Sequence, residues 1–185
     1  MQIIKTPLSG VIEIIPQIFQ DERGYACELY NKEALEKEGL SISCVHTTLS
    51  FSKKGVLKGM HFQKNPHSQG KLIRVLKGKI LDVVLDLRSD SITYKKWYST
   101  LLDDQQKKMI WIPEGFAHGF LTIEEGSLVE IQSNTPYKTE AQLGIIWNDA
   151  EVKIDWQFSV WNISKPILSK KDLFLPSLKD LGKPF

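Results

Sequence analysis

Apolar and polar residues alternate along most of the chain in short runs rich in Val, Ile and aromatic residues. Turn-forming residues divide these runs at intervals of about ten, a rhythm of β-structure. It predicts strands over Val11–Pro16, Ile42–Phe51, Val56–Phe62, Lys71–Lys77, Lys79–Leu87, Trp97–Leu102, Lys108–Ile112, Ala117–Ile123 and Ser127–Ser133. Gly78 stands alone between the fourth and fifth of these, where positive φ reverses a chain at little cost, so that pair is expected to form a hairpin. Helix is scarce. Asn31 can cap KEALEKE, which Gly39 would stop, and one or two short turns are expected between Ser169 and Leu181, around Pro176. No repeat, low-complexity tract or linker divides the chain, so residues 1–185 are expected to form one domain with the C-terminal residues packed as short helical turns. The economical architecture is all-β: an antiparallel jelly-roll barrel whose mouth can hold a small ligand.

Composition narrows the classes of function. With 42% apolar residues the 185-residue chain can bury a core, which excludes a disordered tail protein. Lys and Arg number 24 against 22 Asp and Glu, a net charge of +2, so no field of one sign invites nucleic acid or an anionic membrane; any anionic partner must be held locally. The apolar run Ile80–Leu87 is interrupted by Asp82 and falls far short of the roughly 20 residues that span a bilayer. The opening MQIIKTPLSGVIEIIP lacks a continuous apolar core and a small-residue cleavage site, so a cytoplasmic location is expected. Cys27 and Cys44 are too few for a disulfide framework and read as reduced thiols of the core. Trp147 and Trp156 flank NDAEVKIDW and are expected to plug one end of the barrel; Trp97, Trp111 and Trp161 are read as packing residues.

Candidate chemistry centres on four histidines, His46, His61, His67 and His118. A lone histidine is more often structural than catalytic. His61 stands out because it ends a strand in GVLKGMHFQ, among glycines suited to close backbone approach, and His118 because it lies in IPEGFAHGF. The spacing of Pro113, Gly115 and His118 is similar to the second metal-binding motif of cupins, but the first motif would need another His and a Glu after His61, where Gln63 and Pro66 stand. No metal is therefore expected. A metal-free imidazole in a dry pocket is suited to proton transfer near neutral pH, given an orienting carboxylate and an electrostatic partner. Lys71, taken to lie on the neighbouring strand, and Asp172 of LSKKD are candidates, although both residue types are by default solvated. Arg23, Lys58, Arg74 and Arg88 are candidates to hold a phosphate. The segment leading into His61 also reads as an exposed edge strand that a second copy would cover.

Six collinear segments together resemble the dTDP-4-dehydrorhamnose 3,5-epimerase family: FQDERGYACELYN at 19–31, SFSKKGVLKGMHFQ at 50–63, QGKLIRVLKGKILDVVLDLR at 69–88, IPEGFAHGF at 112–120, GIIWND at 144–149 and LSKKD at 168–172. The resemblance implies a homodimeric, cofactor-independent jelly roll acting on a nucleotide-linked 4-keto-6-deoxyhexose in bacterial surface-sugar biosynthesis. It implies His61 as the base, Asp172 as the carboxylate orienting it, and Lys71 as the cation beside the developing enolate oxygen. His118 would line the same pocket. Arg23 and Glu28 match positions that meet the nucleotide, often from across the dimer; Phe19 and Phe120 match apolar walls, and His46, Thr48, Lys58, Tyr137 and Lys171 complete the expected substrate-binding set.

The departures from the family cluster in the site. Ile131 stands where the family places an acidic tyrosine, and aliphatic carbon donates no proton. His46 and Thr48 replace a Gln-x-Asn pair, and Lys58 replaces an Arg, exchanging a bidentate fork for a point charge. Three readings follow: an altered epimerase that inverts one centre or takes another nucleotide sugar, with His46, Tyr137 or water as proton source; a ketoisomerase moving a proton on one face; and a non-catalytic sugar-nucleotide-binding jelly roll. Joint presence of His61, Lys71 and Asp172 argues against the last.

Overall fold

The computed structural model describes residues 1–185, which fold as two antiparallel sheets laid face to face and a separate two-stranded hairpin. Strands β1 (Gln2–Lys5) and β2 (Ile12–Ile15) are followed by the hairpin β3 (Ile18–Asp21) and β4 (Gly24–Cys27), then helix α1 (Lys32–Lys37). The remaining strands are β5 (His46–Ser52), β6 (Leu57–Gln63), β7 (Lys71–Lys77), β8 (Lys79–Asp86), β9 (Trp97–Asp103), β10 (Met109–Ile112), β11 (Phe116–Thr122), β12 (Ser127–Ser133) and the short β13 (Gln142–Gly144). The expected helical turns are present as a 3₁₀ turn at Asp172–Phe174 and α2 (Leu178–Leu181). Asn31 caps α1 by accepting from the Ala34 amide at 3.0 Å, and Gly39 beyond its end has φ +75°.

One sheet runs β1-β2-β10-β7-β12-β5 and the other β13-β6-β11-β8-β9. This is the jelly roll expected, closed by apolar residues that alternate along each strand. Ile73, Val75, Ile80, Val84, Ile110, Phe120 and Val129 fill the space between the sheets. The opposite parity of β6, β8 and β11 supplies Leu57, Phe62, Leu81, Val83, Leu85 and Leu121 to a second cluster on the outer face, which the C-terminal segment covers with Ile145, Trp156, Ile163 and Leu178. Burial of both faces explains why β8 reads as a nearly unbroken apolar run.

Lys71–Lys77 and Lys79–Asp86 do not form a hairpin: β7 and β8 belong to different sheets, and Gly78, φ +82°, is the corner at which the chain crosses between them. Lys71 therefore faces His61 from across the barrel. A single intervening residue also cannot close a two-residue hairpin turn. Trp147 and Trp156 belong to the C-terminal segment that packs on the outer face, not to a barrel end. Cys27 and Cys44 are free thiols, but Cys44 is exposed and Cys27 half-buried, so neither is a core thiol. The residues leading into His61 lie inside their sheet between β11 and β13; β5, by contrast, is an edge strand, whose outward Leu49 and Phe51 are 58% and 66% exposed.

Candidate active site

A cavity of about 520 Å³ opens between the two sheets, its floor formed by β6 and β11. A bulge sets its chemistry. On β6 and β11, His61 is opposite His118 and Lys58 opposite Phe120, so three steps on one strand span two on the other. Without the extra residue, Lys58 and His61 would point to opposite faces; with it, both line the cavity. Two glycines permit this. Gly59 has φ +133°, and a Cβ there would lie 2.5 Å from the Gly119 Cα; a Cβ on Gly119 would lie 2.7 Å from the Lys58 carbonyl oxygen.

His61 Nε2 lies 2.6 Å from Asp172 Oδ1. Asp172 arrives from a distant segment through the 3₁₀ turn it begins, and the Ser169 hydroxyl accepts from its amide at 3.1 Å. Burial pushes the Asp172 carboxyl up, but the hydrogen bond and charge of His61, Ser169 and the Lys171 charge outweigh it, leaving the group below its ordinary value. Asp172 therefore remains a carboxylate at neutral pH and holds the imidazole from behind. With Nε2 so held, Nδ1 is the nitrogen free for a second partner.

Lys71 Nζ donates to the His61 carbonyl oxygen at 3.4 Å. Burial pulls its ammonium down to about 8, the Asp82 charge opposing in part. Asp82 is fully buried and holds a second imidazole, with Oδ2 2.7 Å from His118 Nε2, while its Oδ1 has no partner. The floor thus carries two imidazoles on neighbouring strands, each paired with a carboxylate from another segment, with an ammonium between them and the facing sheet. Lys58 Nζ donates to Ser50 Oγ of β5 at 2.6 Å; burial lowers its basicity and the Asp172 charge counters this. No set of three His, Cys, Asp or Glu side chains converges as a metal would require.

Of the residues singled out in the sequence, His46, Thr48, Lys58, His61, Lys71, His118, Phe120, Tyr137, Lys171 and Asp172 all line this one cavity. Phe19, Arg23 and Glu28 do not. They lie on or just after the β3–β4 hairpin, which pairs with no other strand of the chain; Phe19 is 58% exposed and Arg23 binds its neighbour Asp21. Arg74 and Arg88 are committed to Glu130 and Asp86, so of the four basic residues considered for phosphate only Lys58 is in the cavity. Sequence reasoning missed Asp82, although its place between Ile80 and Val84, two core residues of like parity, signals an inward carboxylate. It also missed the amides that hold the mouth. Gln63 donates to the carbonyls of His67 and Pro136 and accepts from the Lys138 amide, and Gln142 Oε1 accepts from both Tyr137 and Lys171. These bonds join loops far apart in sequence, and no local pattern marks them.

Residues 5–180 match the family model described as dTDP-4-dehydrorhamnose 3,5-epimerase. The dTDP-4-dehydrorhamnose 3,5-epimerase of Methanothermobacter thermautotrophicus is 41% identical over 169 residues, covering 91% of this chain and 90% of that protein. Among solved structures, the Bacillus anthracis dTDP-4-dehydrorhamnose 3,5-epimerase with TDP and PPi bound superposes with a TM-score of 0.90 at 39% identity, over 96% of this chain and 99% of that one. The Legionella pneumophila dTDP-6-deoxy-D-glucose-3,5-epimerase in complex with dTDP-4-keto-L-rhamnose gives 0.91 at 33% identity, over 98% and 94%.

Proposed function

The chain belongs to the dTDP-4-dehydrorhamnose 3,5-epimerase family, and from that premise we propose that it inverts carbon beside the ketone of a nucleotide-linked 4-keto-6-deoxyhexose. It is an epimerase, and the observation that carries the reading of its site is the 2.6 Å contact of His61 with Asp172 inside the barrel, with Lys71 adjacent. A hydrogen on carbon next to a carbonyl leaves as a proton because its electron pair passes into an enolate. His61 Nδ1 takes that proton, Asp172 stabilises the resulting imidazolium, and the Lys71 ammonium meets the negative oxygen. Phe120 gives the sugar an apolar wall, and Lys58 and Lys171 supply local positive charge for the diphosphate.

The hairpin bearing Phe19, Arg23 and Glu28 completes the nucleotide site of a second copy in a homodimer. Its support is a hairpin unpaired within its own chain, carrying exposed Ile18, Phe19 and Tyr25. A cytoplasmic location follows from a nucleotide-sugar substrate; no helix is long and apolar enough to cross a membrane. One observation favours a second reading. Ile131, on the sheet facing His61, donates no proton, as in a ketoisomerase that moves hydrogen between carbons on one face.

Incubation with dTDP-4-keto-6-deoxyglucose in deuterated water separates these readings. Epimerisation introduces label at one or two carbons flanking the ketone with inversion, whereas ketoisomerisation moves the ketone. His61→Ala is expected to abolish exchange with an unchanged melting curve; exchange surviving in that variant would overturn the assignment of the base.

A further inference from the structure

An enolate reprotonated on the face from which it was formed returns the starting sugar, so inversion requires a proton from the wall opposite His61. We propose that His46 is a second catalytic residue, delivering that proton; the proposal rests on the epimerase reading above.

Register places the residue. Ser133 of β12 is opposite His46 of β5 on one side and Lys71 of β7 on the other, so the three form one row across the six-stranded sheet. Lys71 reaches from that row to the His61 carbonyl on the facing sheet, which fixes the row at the level of the base. Adjacent strands lie about 4.8 Å apart, so His46 stands about 10 Å along the row from Lys71. Orientation follows from parity. Lys58, from the opposite sheet, donates to Ser50 of β5, while Leu49 and Phe51 point outward; positions 46 and 48 share the inward parity of Ser50, and both line the cavity.

Chemistry then selects among the groups on that wall. Ile131 at its centre has no proton to give. The Ser133 hydroxyl donates to the Thr135 carbonyl at 3.0 Å, and Tyr137 donates to Gln142 Oε1, so both protons are engaged. Thr48 offers only an alcohol, a far weaker acid than an imidazolium. The His46 imidazole has no hydrogen-bond partner within the chain, is exposed at the mouth, and belongs to the residue type that gives and takes protons near neutral pH. The balance closes. His61 Nδ1 gains the proton while the C–H electrons form the enolate; the enolate pair then takes a proton from the His46 imidazolium to form the new C–H bond. Neutral His46 and protonated His61 are reset by water, to which His46 is open and His61 is 23% exposed.

The test measures exchange and inversion together, by proton NMR of dTDP-4-keto-6-deoxyglucose in deuterated water with the unaltered enzyme, His46→Gln and His61→Asn. The unaltered enzyme is expected to exchange and invert. His46→Gln should retain solvent exchange within about tenfold, because His61 still removes the proton and trades it with water, while inversion falls about 100-fold or more, the usual loss for a general acid. His61→Asn should lose both. Inversion by His46→Gln within about fivefold of the unaltered enzyme overturns the proposal, and so does a parallel fall of exchange and inversion, the signature of a residue that only positions substrate. Absence of exchange with the unaltered enzyme would overturn the epimerase reading and the proposal with it, an outcome distinct from a changed exchange-to-inversion ratio.

Discussion

Replacing Asp172 with Asn leaves the shape of the side chain and removes its charge. In the native site His61 donates from Nε2 to Asp172 Oδ1 at 2.6 Å, and in the proposed reaction, when Nδ1 accepts the substrate proton, the carboxylate stabilises the imidazolium. A hydrogen bond to a charged group contributes about 1.5–3 kcal/mol, so loss of the charge alone slows proton removal by about 10- to 150-fold. The amide adds a second fault. Its NH₂ can donate to Nε2 and so favour the tautomer with N–H on the cavity side, which cannot act as a base; complete loss of a general base costs about 10²–10⁴. We therefore expect kcat to fall by at least about 10²-fold with little change in KM, since this contact lies behind the reacting imidazole. Initial rates of deuterium incorporation, read by NMR, measure the effect. Thermal melting measured alongside carries its own sign. The folded-state value of Asp172 is below the ordinary 3.8, so its contribution to stability is present above that value and is lost as the pH falls through the lower folded value. The melting deficit of Asp172→Asn should accordingly be seen at pH 7 and fade below about pH 4. A kcat within about threefold of the unaltered enzyme at pH 7 would refute the reasoning.

Two further predictions rest on the same floor. Lys71 is drawn down to about 8 and in the proposed reaction must be charged to meet the enolate, so kcat/KM should fall above that pH; Lys71→Arg should have a lower maximum but lose this alkaline limb, and a limb unmoved in that variant would assign it to another group. Gly59→Ala places a Cβ 2.5 Å from the Gly119 Cα at φ +133°, combining overpacking and backbone strain of about 1–3 kcal/mol each. Its melting temperature should drop by at least about 4 °C with loss of activity. Gly39→Ala, at φ +75° with open space around it, should cost only about 1 kcal/mol, and equal melting of the two would remove the bulge from the account.

The strands were legible because their cause is local. In β8, Ile80, Asp82 and Val84 alternate with Leu81, Val83 and Leu85, and that parity follows from the pleat alone; the same holds for Asn31 and Gly39 at the ends of α1, where each residue acts on its own backbone. Family resemblance named His61, Lys71 and Asp172, but it carried no geometry. That β7 and β8 part at Gly78 to join different sheets was decided by pairing between strands tens of residues apart, as was the arrival of Asp172, 111 positions beyond His61, at its imidazole. The bulge that turns Lys58 and His61 to the same side depends on Gly119 in another strand, and His46 reaches the level of the base only through the register of β5, β12 and β7. Sequence by itself determined the faces of the strands and the kinds of group available to the site. Only the tertiary structure decided which of those groups meet, because distances across a barrel are set by sheet order and register, which no single segment contains.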